Sequence, residues 1–293
     1  MKKITLLLCL IAGQLFAQNN EKPAYLIFQN GKPSSWSELL KAAAQSDLVF
    51  FGEFHNNPIH HWLQFELTKE LHAMKNGNIS LGAEMFEADN QLLLNEYLQG
   101  LIRERNFMDE MRLWSNYSTD YKPLVEFAKT NTLPFIATNV PRRYASAVNN
   151  GGFEALEKFQ AQSMQYFPPI PIPYDSELPG YKAMREMMGM GGKPGASDNI
   201  AKAQALKDAA MGWFILQNLI PGKVFIHFNG AYHSDNYEGI IWYVKHYYSL
   251  SEKKPALKIL TISGEEVEDM TQPPTENKAD FMIVTPASMT KTH

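Results

Sequence analysis

A chain of 293 residues, 45% of them hydrophobic, can bury most of the surface that its unfolded form exposes, so a core alone can hold it together. Its 27 basic against 31 acidic side chains leave no basic excess for a nucleic-acid partner. The single cysteine, Cys9, excludes an internal disulfide and a thiolate metal centre.

Lys2 and Lys3 precede an apolar run, Ile4 to Phe16, broken only by Thr5, Gly13 and Gln14, and a polar stretch begins at Gln18. This is the layout of a secretory signal peptide. Cleavage is expected after Ala17, to within a few residues, because Leu15 is a poor residue three places before the cut. The run is shorter than the about 20 apolar residues that a membrane span takes, and no later stretch is long enough. Leu8 is not small and Cys9 comes too early, which argues against a lipoprotein. Without its leader the chain has no thiol nucleophile. The reading is therefore a leader at 1–17 and a single domain over 18–293, exported, and periplasmic or surface-associated.

The elements follow in order. Tyr25 to Phe28 is expected as an edge strand, closed by the turn signal Asn30-Gly31. Leu48 to Phe51 is a short apolar run that reads as a buried strand. Pro58 to Met74 opens on proline and repeats apolar residues at helical spacing. A strand at 79–83, helices at 90–101 and 121–130, and a strand at 134–137 come next. Residues 150–198 break the pattern with Phe167-Pro168-Pro169-Ile170-Pro171-Ile172-Pro173-Tyr174, then Met184, Met187, Met188 and Met190. Prolines at that density do not run through a central strand, so this is expected to be a partly helical insertion capping one end of the sheet. A long helix from about Asn199 to Leu219, with Ser197 or Asp198 as cap and Pro221-Gly222 as stop, precedes strands at 224–228, 257–262 and 281–284. The polar tail after Val284 is expected to fray. Strands alternating with helices predict an α/β fold with a mostly parallel central sheet and helices on both faces.

Parallel strands send the residues past their C-terminal ends into one crevice. There stand Gly52-Glu53-Phe54-His55, Glu84-Met85-Phe86, Asn139 with Pro141-Arg142-Arg143, and Asn229-Gly230-Ala231-Tyr232-His233. Glu53 and His55, two apart, share a face of an extended chain, and Gly52 leaves room for a ligand to approach the backbone. His61, three residues before Gln64, can face the same crevice from the next helix, with one of His60 and His61 buried and the other solvated. Gln204, Asp208, Met211 and Ile215 form one helical stripe. An aspartate there either faces the crevice or pairs with Lys202 or Lys207 at the surface. Carboxylates and imidazoles together bind a divalent metal or act as acid and base; Glu53, His55, Glu84 and His233 are the candidates for both. No G-x-S-x-G elbow, phosphate-binding loop or H-E-x-x-H helix occurs.

This ordered set, from Gly52-Glu53-Phe54-His55 with His60-His61 and Gln64, through Glu84-Met85-Phe86 with Gln91, Pro134 to Asn139 with Pro141-Arg142, Ala203-Gln204 and Lys207-Asp208 with Met211, to Gly230-Ala231-Tyr232-His233, resembles the ChaN family of haem-binding proteins over roughly residues 45 to 262. The same Glu/His arrangement is similar to that of a wider superfamily holding erythromycin esterases and TraB/Tiki proteins, some of them hydrolases. The resemblance implies an exported protein that binds haem for haem or iron acquisition. Its ligand residues would be drawn from Glu53, His55, His61, Glu84, Arg142, Gln204, Asp208 and His233. It also implies an axial tyrosine (Tyr174 and Tyr181 are the candidates), a homodimer, and an outer-membrane haem receptor as partner. Arginines such as Arg142 would pair with the propionates, and methionines and aromatics would form an apolar wall. The alternative is a hydrolase, metal-dependent or based on Glu53, His55, Glu84 and His233.

Overall fold

The computed structural model describes residues 22–189, 196–250 and 255–292. The expected leader with Cys9 lies outside them, as do Met190 and the side chain of Met188. Among the described residues, eight strands form one sheet: β1 (Leu26–Gln29), β2 (Lys32–Ser34), β3 (Leu48–Glu53), β4 (Ile79–Glu87), β5 (Phe135–Asn139), β6 (Val224–Gly230), β7 (Ile259–Val267) and β8 (Phe281–Pro286). Their order is β2-β1-β8-β7-β3-β6-β4-β5. From β8 to β5 all neighbours run parallel, and only β1 runs the other way, antiparallel both to β8 and to β2, which it meets through the turn at Asn30-Gly31. The predicted α/β class and the seven expected strands are present; the three-residue β2 was not foreseen.

Alternate strand residues fill two cores. Val49, Phe51, Leu81, Ile226, Phe228 and Ile262 face α1 (Trp36–Ala44), α2 (Pro58–Met74), α3 (Gln91–Leu98) and α5 (Lys122–Thr130). Leu48, Phe50 and Phe225 face the other way, onto Met211 and Ile215 of α8 (Ala196–Gln217) and Ile240, Ile241 and Val244 of α9 (Ile240–Ser249). Burial on both faces is why these strands read as unbroken apolar runs rather than alternating ones. The remaining helices are α4 (Glu104–Glu110), α6 (Arg142–Gly151) and α7 (Pro179–Gly189). Local signals decide several boundaries. Ser35 and Glu38 form a reciprocal capping box at α1. Asn57 caps α2 ahead of Pro58, accepting from the N–H groups of Ile59 and His60. The long helix α8 begins ahead of Asp198, which lies within its first turn rather than capping it.

Two expectations need correction. The insertion is not confined to one end of the sheet. Phe167, Ile172 and Tyr181 pack with Tyr144, Val148, Leu206, Ala209, Tyr243 and Tyr247, forming an outer layer over α6, α8 and α9. It is apolar on one face, and the exposed surface of these helices is the nearest place to bury it. The tail after Val284 is also tied down. Thr292 donates its hydroxyl to Asp120 at 2.8 Å and its N–H to the Asn56 carbonyl at 3.1 Å, and Lys291 pairs with Glu266.

Candidate functional site

The four strands β3, β6, β4 and β5 lie side by side, so their C-terminal ends share one rim. The strands run further than their apolar runs indicate, and Glu53, Glu84 and Asn139 are strand residues, not loop residues. A crevice of about 440 Å³ opens there, lined by Glu53, Phe54, His55 and Asn56 on one side and Gly230, Ala231, Tyr232 and His233 on the other. Two stretches far apart in the chain thus deliver their acids and imidazoles into one hollow.

Glu53, fully buried, is the hub of the first half. The Nδ1–H of His55 donates to its Oε1 at 2.9 Å, and the hydroxyl of Tyr121 donates to the same oxygen at 2.6 Å. Gln64 donates to Oε2 at 2.5 Å, with Nδ1 of His61 at 3.4 Å. Burial alone would raise the Glu53 pKa, but the two imidazoles and the phenol outweigh it and the net shift is downward. With Nδ1 committed, His55 turns Nε2 toward the crevice, and no hydrogen bond within the described residues engages that nitrogen. Its ring is held edge-on by Trp114, with centroids 4.8 Å apart, and its side chain is 39% exposed. Burial acts to lower its pKa, while the hydrogen bond to Glu53 and the charge of Glu84 raise it more.

His233 anchors the second half. Its Nδ1 hydrogen-bonds Asp208, and its Nε2 lies 3.2 Å from Oε1 of Glu84. Glu84 Oε2 accepts from the N–H of Gly230 at 2.8 Å, and Asp208 Oδ2 accepts from the Tyr181 hydroxyl at 2.7 Å. Burial would lower the His233 pKa, but the charges of Glu84 and Asp208 raise it to about 10, so the ring is a buried imidazolium. The same pairing holds Glu84 well below the ordinary carboxylate range against its own burial. The amide of Gln204 lies against this ring, 3.1 and 3.2 Å from its two nitrogens.

Two glycines permit the arrangement. A Cβ on Gly52 would stand 2.9 Å from the Cα of Ala231, so the space expected for a ligand is taken by the loop after β6. A Cβ on Gly230 would stand 2.8 Å from the His55 ring, so glycine there lets the imidazole lie across the backbone.

The predicted residues fall into three groups. Glu53, His55 and His61 meet around one carboxylate, and Glu84, Asp208, Gln204 and His233 around one imidazolium. Asp208 therefore faces the site, and Lys202 pairs instead with Asp198 at 2.8 Å. The expectation that one of His60 and His61 is solvated fails: both are buried. His60 points away, its Nδ1 accepting from the Phe54 N–H at 3.0 Å, and burial lowers its pKa to about 3. Arg142 stands apart on the rim, its Nε donating to Glu87 at 2.8 Å and its side chain 71% exposed.

As a metal set, the four candidates do not converge. Among the described residues no cluster of three or more His, Cys, Asp or Glu side chains is arranged to hold a metal ion. The physical reason is that His233 spends both nitrogens on Asp208 and Glu84, an imidazolium having no lone pair to give, and His55 keeps only Nε2 free, its Nδ1 being held by Glu53. Neither axial candidate, Tyr174 or Tyr181, lines this crevice. Tyr181 is buried with its hydroxyl given to Asp208, and burial together with that charge raises its pKa far above normal. The Tyr174 hydroxyl is buried among Phe153 and Tyr181 without a hydrogen-bond partner. No methionine among the described residues lines the crevice, and Met187 is exposed. The tyrosine that does line it is Tyr232, 49% exposed.

Sequence reading missed Tyr121, Asn116, Asp120 and Trp114. Asn116 donates to the His55 carbonyl at 2.9 Å and to Asp120 at 2.7 Å, and Asp120 sits 3.4 Å from Nε2 of His61. The available signal was the dense polar and aromatic run Trp114-Ser115-Asn116-Tyr117-Ser118-Thr119-Asp120-Tyr121, which fits neither strand nor helix periodicity.

Comparison with known families decides the relationship. Residues 39–244 match the family model described as haem-binding uptake, Tiki superfamily, ChaN. The chain belongs to the ChaN family. A solved structure of cofacial haem binding to ChaN of Campylobacter jejuni is similar to this ChaN-family chain with a TM-score of 0.64 and 15% identity, covering 90% of this chain and 97% of the other. An erythromycin esterase mutant in its open conformation follows at a TM-score of 0.44 and 12% identity, covering 90% and 83%. The first likeness establishes the fold alone, and the second carries no argument. No curated protein matches the chain. No helix among the described residues is long and apolar enough to cross a membrane.

Proposed function

We propose that this protein binds haem in the crevice between the ends of β3 and β6 and is exported to serve haem or iron acquisition. The observation that carries this reading is the crevice mouth. There an unengaged imidazole nitrogen of His55 and the half-exposed phenol of Tyr232 face the same hollow, beside the exposed ring of Phe54. Imidazole and phenol oxygen are both axial ligand types for haem iron, and a tyrosinate suits the ferric state. His55 and Tyr232 are thus the groups that would reach the metal, with Phe54 offering an apolar face. Arg142 is the candidate partner for the propionates. Bound haem would supply a coordinated iron; the chain's own part is to bind and orient it. A homodimer would cover the aromatic mouth, an outer-membrane haem receptor would be the partner, and the Lys2-Lys3 start with its apolar run supports export. Titrating purified protein with haemin is expected to give a saturable Soret change. No change at micromolar haem removes the proposal.

One observation favours a second reading. Glu53 fixes His55 with Nε2 free, which is the geometry of a carboxylate-oriented general base. A water at Nε2 would pass its proton to the ring as its oxygen attacks an ester carbonyl carbon. The ring would then return that proton to the departing alcohol as the ester bond breaks. Ester turnover by the wild type that is lost in Glu53→Gln supports this hydrolase; no turnover across an ester panel removes it.

A further inference from the structure

The phenol at the crevice mouth has a second partner. Tyr232 donates its hydroxyl hydrogen to the carbonyl of Gly180, in the first turn of α7. The N–H of Gly180 donates to Glu238 at 2.7 Å, and the next residue, Tyr181, donates to Asp208 at 2.7 Å. Three hydrogen bonds therefore moor the start of α7 to the loop after β6 and to α8, and one of them runs through a crevice side chain. A Cβ at position 180 would lie 3.1 Å from the Glu238 carboxylate and 3.6 Å from the Tyr232 hydroxyl, so glycine lets both side chains close on one peptide unit.

That contact cannot survive coordination. A phenol that binds a metal through its oxygen gives up its proton, and a phenolate and a carbonyl are both acceptors only. The attraction between Tyr232 and Gly180 then becomes lone-pair repulsion. We propose that α7 is a ligand-responsive strap: occupancy of the crevice through the Tyr232 oxygen breaks the Tyr232–Gly180 contact and loosens the first turn of α7. The ties through Glu238 and Asp208 do not depend on Tyr232, so the turn loosens and does not detach. The identity of the ligand rests on the haem reading; the mooring itself does not.

The test is amide hydrogen exchange across residues 178–187 of the full chain, with and without haemin, with the Soret band recorded on the same samples. Ligand-free Tyr232→Phe is run beside the wild type. Both haemin-saturated wild type and ligand-free Tyr232→Phe are expected to exchange roughly five- to tenfold faster than ligand-free wild type over Tyr181 to Arg185, the size of one lost hydrogen bond, while α9 is unchanged. A Soret change without faster exchange ends the strap proposal and leaves haem binding standing. Unchanged exchange in ligand-free Tyr232→Phe also ends it. Absence of any Soret change ends the haem reading, and the strap proposal with it.

Discussion

Oε1 of Glu84 lies 3.2 Å from Nε2 of His233, although one sits on β4 and the other beyond the end of β6. With Asp208 on the far side of the ring, this contact makes a buried anion–cation–anion sandwich.

Breaking that sandwich on one side is expected to be costly. Glu84→Gln keeps the shape but removes a charge from a buried pair, which lowers stability by roughly 3–5 kcal/mol. The His233 pKa should fall below about 10 in the same variant. Denaturant unfolding and an NMR titration of the ring check both; an unchanged midpoint with an unchanged ring pKa would refute the sandwich.

Gly230→Ala tests the crevice more selectively. The added methyl would sit 2.8 Å from the His55 ring, so the imidazole must shift across the crevice mouth. Haemin affinity is expected to drop about tenfold or more. The overpacking costs about 1–3 kcal/mol, so the variant should remain folded by circular dichroism. Wild-type affinity in a folded variant would place the ligand elsewhere.

Gln91 covers an open edge. Its amide donates to the Phe135 carbonyl at 3.0 Å and accepts from the Ala137 N–H at 2.6 Å, standing in for a strand beyond β5. Gln91→Ala is expected to cost about 1–3 kcal/mol by orphaning these backbone groups. Light scattering on storage should also rise as the bared edge finds partners.

The pH dependence has a definite sign. Burial lowers His60 to about 3 and His227 to about 4, from 6.5. As pH falls through 6.5, the unfolded chain takes up two protons that the folded chain refuses, so stability declines. Asp235 opposes this, because burial raises it from 3.8 to about 6 and the folded chain binds its proton first. For these three groups the net is about one proton taken up on unfolding near pH 5, a slope of about 1.4 kcal/mol per pH unit, and Glu53 and Glu84, both lowered in the folded chain, add to it as pH falls further. Asp235→Asn should roughly double that slope and His227→Gln should nearly abolish it. On the alkaline side, the contribution of His233 is fully present below 6.5 and is lost as pH rises through about 10. Unfolding free energies across pH 4.5 to 10 check each limb.

The apolar runs at 48–51, 79–83, 134–137 and 224–228 determined the parallel sheet without any coordinates, because strands buried on both faces must be largely apolar. That sheet in turn placed Glu53, His55, Glu84 and His233 at one rim, since parallel strands end on the same side. What only the tertiary structure decided was partnership: that Asp208 meets His233 and not a surface lysine, that Tyr181 is spent on Asp208 while Tyr232 lines the crevice and donates to Gly180, and that Tyr121 completes Glu53. These pairings join residues with no periodic relation in the chain, and a hydrogen bond depends on tenths of an ångström that side-chain packing sets and sequence spacing does not.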